Sequence, residues 1–117
     1  MLEGTWELVS GEQDGQPISA DVLPKYQLEI VGDQHTVRWE DEVLKGKHEL
    51  DAKQSPMQID SSDTFGRFEG EPLEGIFKLE DDLFTVCFAS PGQDRPTDFT
   101  TQGGKAAILH VWKKQEE

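Results

Sequence analysis

The chain has 117 residues, with 24 Asp plus Glu against 11 Lys plus Arg, three His and one Cys. That length fits one domain over residues 1–117, and a net charge of −13 argues against nucleic-acid partners and against insertion into anionic membranes. A single cysteine excludes an internal disulfide and a Cys-rich zinc site.

The longest wholly apolar run, Ala106 to Leu109, is far too short to span a bilayer as a helix. Met1 to Trp6 carries acid early and has no apolar core, so it does not read as a secretory leader, and the cytoplasm is the expected compartment. Composition alone, with 30% charged and 34% hydrophobic residues, leans toward disorder. The three Trp, six Phe and one Tyr lie inside short patterned runs, however, and aromatics of that kind build cores.

Leu2 to Ser10 alternates, with Leu2, Gly4, Trp6 and Leu8 on one face, which predicts a strand with that face inward. Gly11 to Gly15 is expected to break it. Pro17 to Lys25 has room for about one turn of helix, capped by Ser19 and stopped by Pro24. Tyr26 to Val31 and His35 to Glu40 alternate on either side of Gly32-Asp33-Gln34, the strongest hairpin signal in the chain. Val43 to Leu50 follows, with Leu44, Gly46, His48 and Leu50 sharing a face, and then Met57 to Asp60.

Asp60 to Pro72 is polar and reads as the least structured stretch, with Phe65 and Phe68 available to fold over the domain. Leu73 to Leu79, the turn Glu80-Asp81-Asp82 and Leu83 to Ala89 form a second hairpin. A small strand at Asp98 to Thr101 and a last strand at Ala106 to Lys113 complete the pattern. The expected fold is therefore all-β: a single antiparallel up-and-down barrel of about eight strands with little helix. Closure is favoured because it removes exposed strand edges. Leu83 to Ala89 and Ala106 to Trp112 are apolar on both faces, so something must cover their outer side. A homodimer interface or the Phe65/Phe68 loop would do so.

The segment Gly4-Thr5-Trp6-Glu7-Leu8-Val9-Ser10 resembles the Gly-x-Trp start of the lipocalin and fatty-acid-binding superfamily, whose tryptophan closes the bottom of the barrel. The likeness extends through Gly15-Gln16-Pro17-Ile18, Lys47-His48-Glu49-Leu50-Asp51, Pro56-Met57-Gln58-Ile59-Asp60, Gly75-Ile76-Phe77-Lys78-Leu79, Asp82 to Phe88 and Arg95-Pro96-Thr97-Asp98-Phe99. In that order these resemble a small lipocalin-like bacterial domain of unestablished role, common in planctomycete-type bacteria. The resemblance covers nearly the whole chain, implies a β-barrel and brings no catalytic residues with it. One departure concerns the last strand. Many lipocalins stack an Arg there across the first-strand Trp, whereas Leu109 to Lys114 holds no arginine and leaves that place to a Lys or to Trp112.

Candidate chemistry is sparse. Cys87 sits mid-strand between Val86 and Phe88 and reads as a small buried hydrophobe. His48 shares an apolar face with Leu44 and Leu50 and points inward, as a satisfied core group or as the polar anchor of a hollow barrel. His110 fits either face, and His35, beside a turn, reads as solvated. Their scattered spacing forms no metal motif, and no cofactor is implied. Arg95 reads as paired locally with Asp94 or Asp98, or else as a receptor for a carboxylate at the barrel mouth. The acid clusters Glu40-Asp41-Glu42, Asp60 to Asp63 and Glu80-Asp81-Asp82 read as solvated turns.

The leading expectation is a non-enzymatic barrel that binds a small, mainly apolar or acidic apolar ligand. Its pocket would be lined by Trp6, Leu8, Tyr26, Leu28, Trp39, His48 and Phe77, with Arg95 near the mouth and Pro17 to Lys25 as a lid. The first rival is a filled barrel that serves as a protein–protein interaction module through its two-faced apolar strands. The second is a small lipocalin-like enzyme of isomerase or cyclase type, in which His48 converges with Cys87 or Arg95.

Overall fold

A computed structural model describes residues 2–13, 15–21, 23, 26–39, 41–65, 70, 72–90, 92–101 and 107–115. The side chains of Trp39, Asp63 and Phe65 fall outside that description. Among the described residues nine strands follow one another: β1 (Gly4–Gln13), β2 (Gln16–Pro17), β3 (Tyr26–Val31), β4 (Gln34–Trp39), β5 (Glu42–Asp51), β6 (Met57–Phe65), β7 (Pro72–Glu80), β8 (Leu83–Phe88) and β9 (Ile108–Lys114). Each barrel strand pairs antiparallel with the next, and β1 pairs with both β3 and β9, so eight strands close on themselves. The two-residue β2 lies outside this ring and pairs with β1 alone. Among the described residues no helix is long and apolar enough to cross a membrane.

Alternation decides which side chains enter the barrel. Trp6, Leu8, Leu28, Ile30, Ile59, Phe77, Phe84, Val86 and Trp112 are buried together in one core. In β1 the phase changes midway. The β1–β9 register skips between Leu8 and Ser10, a bulge that leaves Val9 exposed and turns Gly11 rather than Ser10 to the buried side. The bulge lets the strand run to Gln13 instead of ending near Ser10.

The predicted hairpin turn at Gly32-Asp33 is present, with Gly32 at φ +61° in the left-handed region that a two-residue turn of this kind requires. The short turn after β2 is present too: the Leu23 amide donates to the Ser19 carbonyl at 3.2 Å, and the Asp21 amide donates to Ser19 Oγ at 3.4 Å. Pro24 and Lys25 lie outside the described residues.

At the N-terminal end, Trp6 Nε1 donates to the Leu2 carbonyl at 2.9 Å, and Lys114 Nζ sits 5.8 Å from the Trp6 ring centroid. Lys114 thus takes the stacking place left open by the missing arginine. Gly4 makes room for it, since a Cβ there would stand 2.9 Å from Lys114 Cε.

Two expectations fail. Within Asp60 to Pro72, residues 60–65 and 72 are strand rather than irregular, because β6 runs on to Phe65 and β7 begins at Pro72, each with ladder partners, while residues 66–69 and 71 lie outside the described residues. Asp98 to Thr101 is not a strand. It belongs to a strap, residues 92–101, that crosses the outer wall of the barrel. Arg95 ties one end to β6 and β7. Thr101 ties the other to β1, its hydroxyl donating to Glu12 Oε1 at 2.7 Å and accepting from the Gly15 amide at 3.0 Å.

Between these anchors Phe99 packs on Ile76 and Cys87, as Leu109 of β9 also does, with Lys78 Nζ 5.0 Å from the Phe99 ring centroid. The strap therefore covers outward apolar side chains on β7 and β8. Phe68 lies outside the described residues, as does the Phe65 side chain.

Candidate functional site

The barrel is hollow over part of its length. A cavity of about 340 Å³ runs from Gln13, Ile18, Ser90 and Ala107, at the end where β1 finishes and β9 begins, to Leu2, Ile30, His35 and His48 near the β3–β4 turn. Its walls are mostly aliphatic and aromatic, and its described lining contains no Asp, Glu, Lys or Arg. Its titratable imidazoles are His35, His48 and His110.

The strand ladder explains how two of these imidazoles meet. His35 on β4 lies directly across from Gly46 on β5, and His48 is two residues further along on the same face. Gly46 has no side chain to stand between them, so the diagonal neighbours touch. Their Nδ1 atoms are 3.2 Å apart, and their rings lie 24° from parallel with centroids 5.4 Å apart. At that separation one Nδ1–H donates and the other Nδ1 accepts, which fixes opposite tautomers for the two rings. Ser61 on β6, opposite His48 in the next ladder, places a hydroxyl on the same stretch of lining.

Burial pushes the His48 imidazole below its ordinary pKa, and the neighbouring His35 adds to this, while the carboxylates of Asp33 and Glu3 pull the other way. His110 lies farther along the lining, its ring 5.5 Å from Trp112 edge to face and 6.4 Å from Tyr26. Burial lowers it to about 4, so it is neutral at physiological pH.

The residues expected at the site fall into distinct places. Tyr26, Leu28 and His48 line the cavity. Trp6 and Phe77 stand behind it, each packed edge-on against the lining residue Phe84 at 5.7 and 6.1 Å, and Leu8 is buried in the same core. The Trp39 side chain lies outside the described residues.

Arg95 is on the outer wall, where Nη1 donates to the carbonyls of Ile59 (3.2 Å) and Gly75 (2.9 Å) and Nη2 to Asp60 Oδ1 (2.7 Å). Its carboxylate partners are thus Asp60 on β6 and, at 4.0 Å, Glu74 on β7 rather than Asp94 or Asp98, and the guanidinium fastens the strap.

Cys87 is also outside, fully buried beneath the strap, with Sγ 3.6 Å from the Asp98 carbonyl and 3.8 Å from that of Thr100. Burial raises its thiol pKa, which keeps it protonated and unreactive. His48 faces inward while Cys87 and Arg95 face outward, so these three form no common site. Among the described residues no three His, Cys, Asp or Glu side chains converge as metal ligands.

His35 is the correction of most consequence. It is half-buried and part of the cavity rather than solvated. Its parity with Val37 on β4 was the available signal, outweighed in the sequence by its place next to a turn.

No family model matches this sequence, and no curated protein matches it. Among solved structures, a DUF4847 family protein from Bacteroides vulgatus aligns with a TM-score of 0.58 over 97% of this chain and 95% of that one, at 11% identity. At that identity the likeness speaks for architecture alone: the chain is similar to that protein in its fold, a small antiparallel β-barrel.

Proposed function

We propose that this protein binds one small, mainly apolar molecule inside its barrel. The observation that carries this reading is the cavity itself: about 340 Å³, walled mostly by apolar side chains, with few polar groups, of which His35, His48 and Ser61 lie together. Ligand pockets have this composition, and the volume falls near the lower end of their usual range of roughly 300–1,000 Å³. At about 30 Å³ per water-sized group, the space suits a ligand of roughly a dozen non-hydrogen atoms. Tyr26, Leu28, Val37, Leu44 and Trp112 supply apolar contact in this reading, and His48 with His35 supplies the polar anchor. Trp6, Leu8 and Phe77 shape the site from behind. The lipocalin-like pattern of the sequence points the same way.

Docking of a second copy on the outer faces of β8 and β9 has less support, since the strap already covers Cys87 in the middle of that face, although Leu83 stays exposed. Trp112 lines the cavity and so reports on it directly. Titration with fatty acids, retinoid-like and aromatic compounds should change tryptophan emission, and Trp112→Phe should remove most of the change. A saturating ligand should raise the melting temperature, because occupancy at a hundred times Kd adds about 2.7 kcal/mol to the folded state. A panel that leaves both emission and melting untouched would refute the proposal.

A further inference from the structure

We infer that His35 and His48 form a two-coordinate site for one Cu(I) ion, held in line between their Nδ1 atoms inside the barrel. The ion takes the gap between two rings and leaves the rest of the cavity to an organic ligand, so the site goes beyond the apolar-ligand reading and does not depend on it.

The pair has the geometry of a linear site. The Nδ1 atoms are 3.2 Å apart and the ring centroids 5.4 Å apart, close to the greatest separation that this Nδ1 distance permits. Each Nδ1 therefore lies near the line joining the centroids, and the ring planes are only 24° from parallel. The lone pair of an unprotonated imidazole nitrogen lies in the ring plane, so the two Nδ1 lone pairs aim at each other along that line. A tetrahedral or octahedral ion needs them to converge at a point to one side, which would draw the centroids closer. With metal–imidazole bonds of about 2 Å, a metal on the line spreads the nitrogens from 3.2 to about 4 Å. Both residues border the cavity, which gives the rings room for that small movement.

The donor set narrows the metal. Among the described residues no third His, Cys, Asp or Glu joins the pair as a metal ligand. Ser61, across from His48 in the ladder, adds only a hydroxyl. Zinc takes four donors, calcium and magnesium take shells of oxygens, and Cu(II) prefers a tetragonal set of nitrogens and oxygens. Cu(I) has a filled d shell and is satisfied by two imidazoles in line. The mostly aliphatic and aromatic walls suit it as well, since they offer few of the oxygen donors that the other ions need.

Charge favours a cation at this place. The carboxylates of Asp33, in the β3–β4 turn, and Glu3, ahead of β1, both act on His48 in the sense that stabilises positive charge beside it. The described lining holds no Lys or Arg to oppose one, and the net charge of −13 draws cations toward the protein. The protons balance without net release. In the neutral pair one ring carries its proton on Nδ1 and has a vacant Nε2; on binding, that ring exchanges the Nδ1 proton for one on Nε2, and both Nδ1 lone pairs go to the metal.

The test titrates Cu(I) under argon from its coloured ferrozine complex into Cys87→Ala, which removes the chain's one thiol. This variant should withdraw one equivalent, and excess Zn(II) should not displace it. His35→Gln and His48→Gln, each in that background, should weaken retention by more than the roughly 10–100-fold that loss of an outer-shell partner costs a metal site. X-ray absorption should show two nitrogen donors and the strong pre-edge band of linear Cu(I), and imidazole nitrogen NMR should show both rings protonated at Nε2.

Failure to withdraw Cu(I), retention only when Cys87 is present, retention that survives both histidine substitutions, displacement by Zn(II), or three or more donors around the metal overturns the assignment.

Discussion

His110 should make the protein acid-sensitive over a window in which few other groups titrate. Its imidazole ordinarily titrates at 6.5, and burial in the barrel lowers it to about 4. The unfolded chain therefore binds a proton at this residue before the folded chain does. A depressed folded-state pKa means that the stabilisation is fully present above 6.5 and is lost as pH falls toward 4. For a two-state chain with these values the loss between pH 7 and pH 5 is about 2 kcal/mol, against a total stability on the order of 5–15 kcal/mol. What surface the residue still exposes faces the cavity it lines, so water entering there would reduce this figure somewhat.

Urea denaturation at pH 7, 6 and 5 measures the effect, and with a slope of about 1–2 kcal/mol/M the midpoint should fall by roughly 1 M. His110→Phe keeps a ring against Trp112 and removes the proton site. Its stability should be distinctly flatter over the same range, with the remaining slope coming from His48, which is shifted in the same direction. If wild type and His110→Phe lose stability in parallel, the buried neutral imidazole is not the cause and the reasoning fails.

Other substitutions probe the frame around the cavity. Phe77→Ala removes a fully buried ring from behind Phe84 and should cost about 3–5 kcal/mol in chemical denaturation. Gly75→Ala brings a Cβ to 2.6 Å from both the Cys87 carbonyl oxygen and Phe88 Cδ1, so it should destabilise by about 1–3 kcal/mol or more, seen as a lower melting temperature. Arg95→Met removes three hydrogen bonds that hold the strap and should speed alkylation of Cys87 by roughly tenfold or more, given that bonds to charged groups are each worth about 1.5–3 kcal/mol. Unchanged labelling would mean that Phe99 and Thr101 hold the strap without it.

The sequence made the barrel legible because an eight-stranded meander writes itself as alternation interrupted by turns. Trp6 and Leu8, Leu28 and Ile30, and Phe84 and Val86 all point as their parity says. Alternation is blind to register changes, and two of the places where it misled are of that kind or its opposite. The bulge after Leu8 shifts Gly11 and Gln13 onto the inner face, which no count along β1 alone would show. The polar run from Asp60 to Phe65 looked unstructured because it carries few apolar residues, yet its backbone satisfies the ladder with β5 and β7. Arg95 and Thr101 were harder still. Their partners Asp60 and Glu12 are distant in sequence, and only the path of the strap brings them together.

The site was half legible for a related reason. Parity placed Tyr26, Leu28 and His48 inward, but parity cannot say which inward residues fill space and which border it. An eight-stranded barrel is just wide enough either to be packed by its own side chains or to hold one small ligand, so side-chain size settles the matter. Around Trp6 the rings of Phe84 and Phe77 meet edge to face and consume the interior. Elsewhere the lining includes Ser61, Ala89, Ser90 and Ala107, whose short side chains leave the space unfilled.

Within that space, isolated imidazoles would carry a desolvation cost with no return. The pairing of His35 with His48 removes part of that cost through the N–H···N bond, and the β4–β5 register makes the two rings diagonal neighbours. The hollow and its polar corner thus share one origin: small residues at selected inward positions, set among strands whose register brings distant side chains into line.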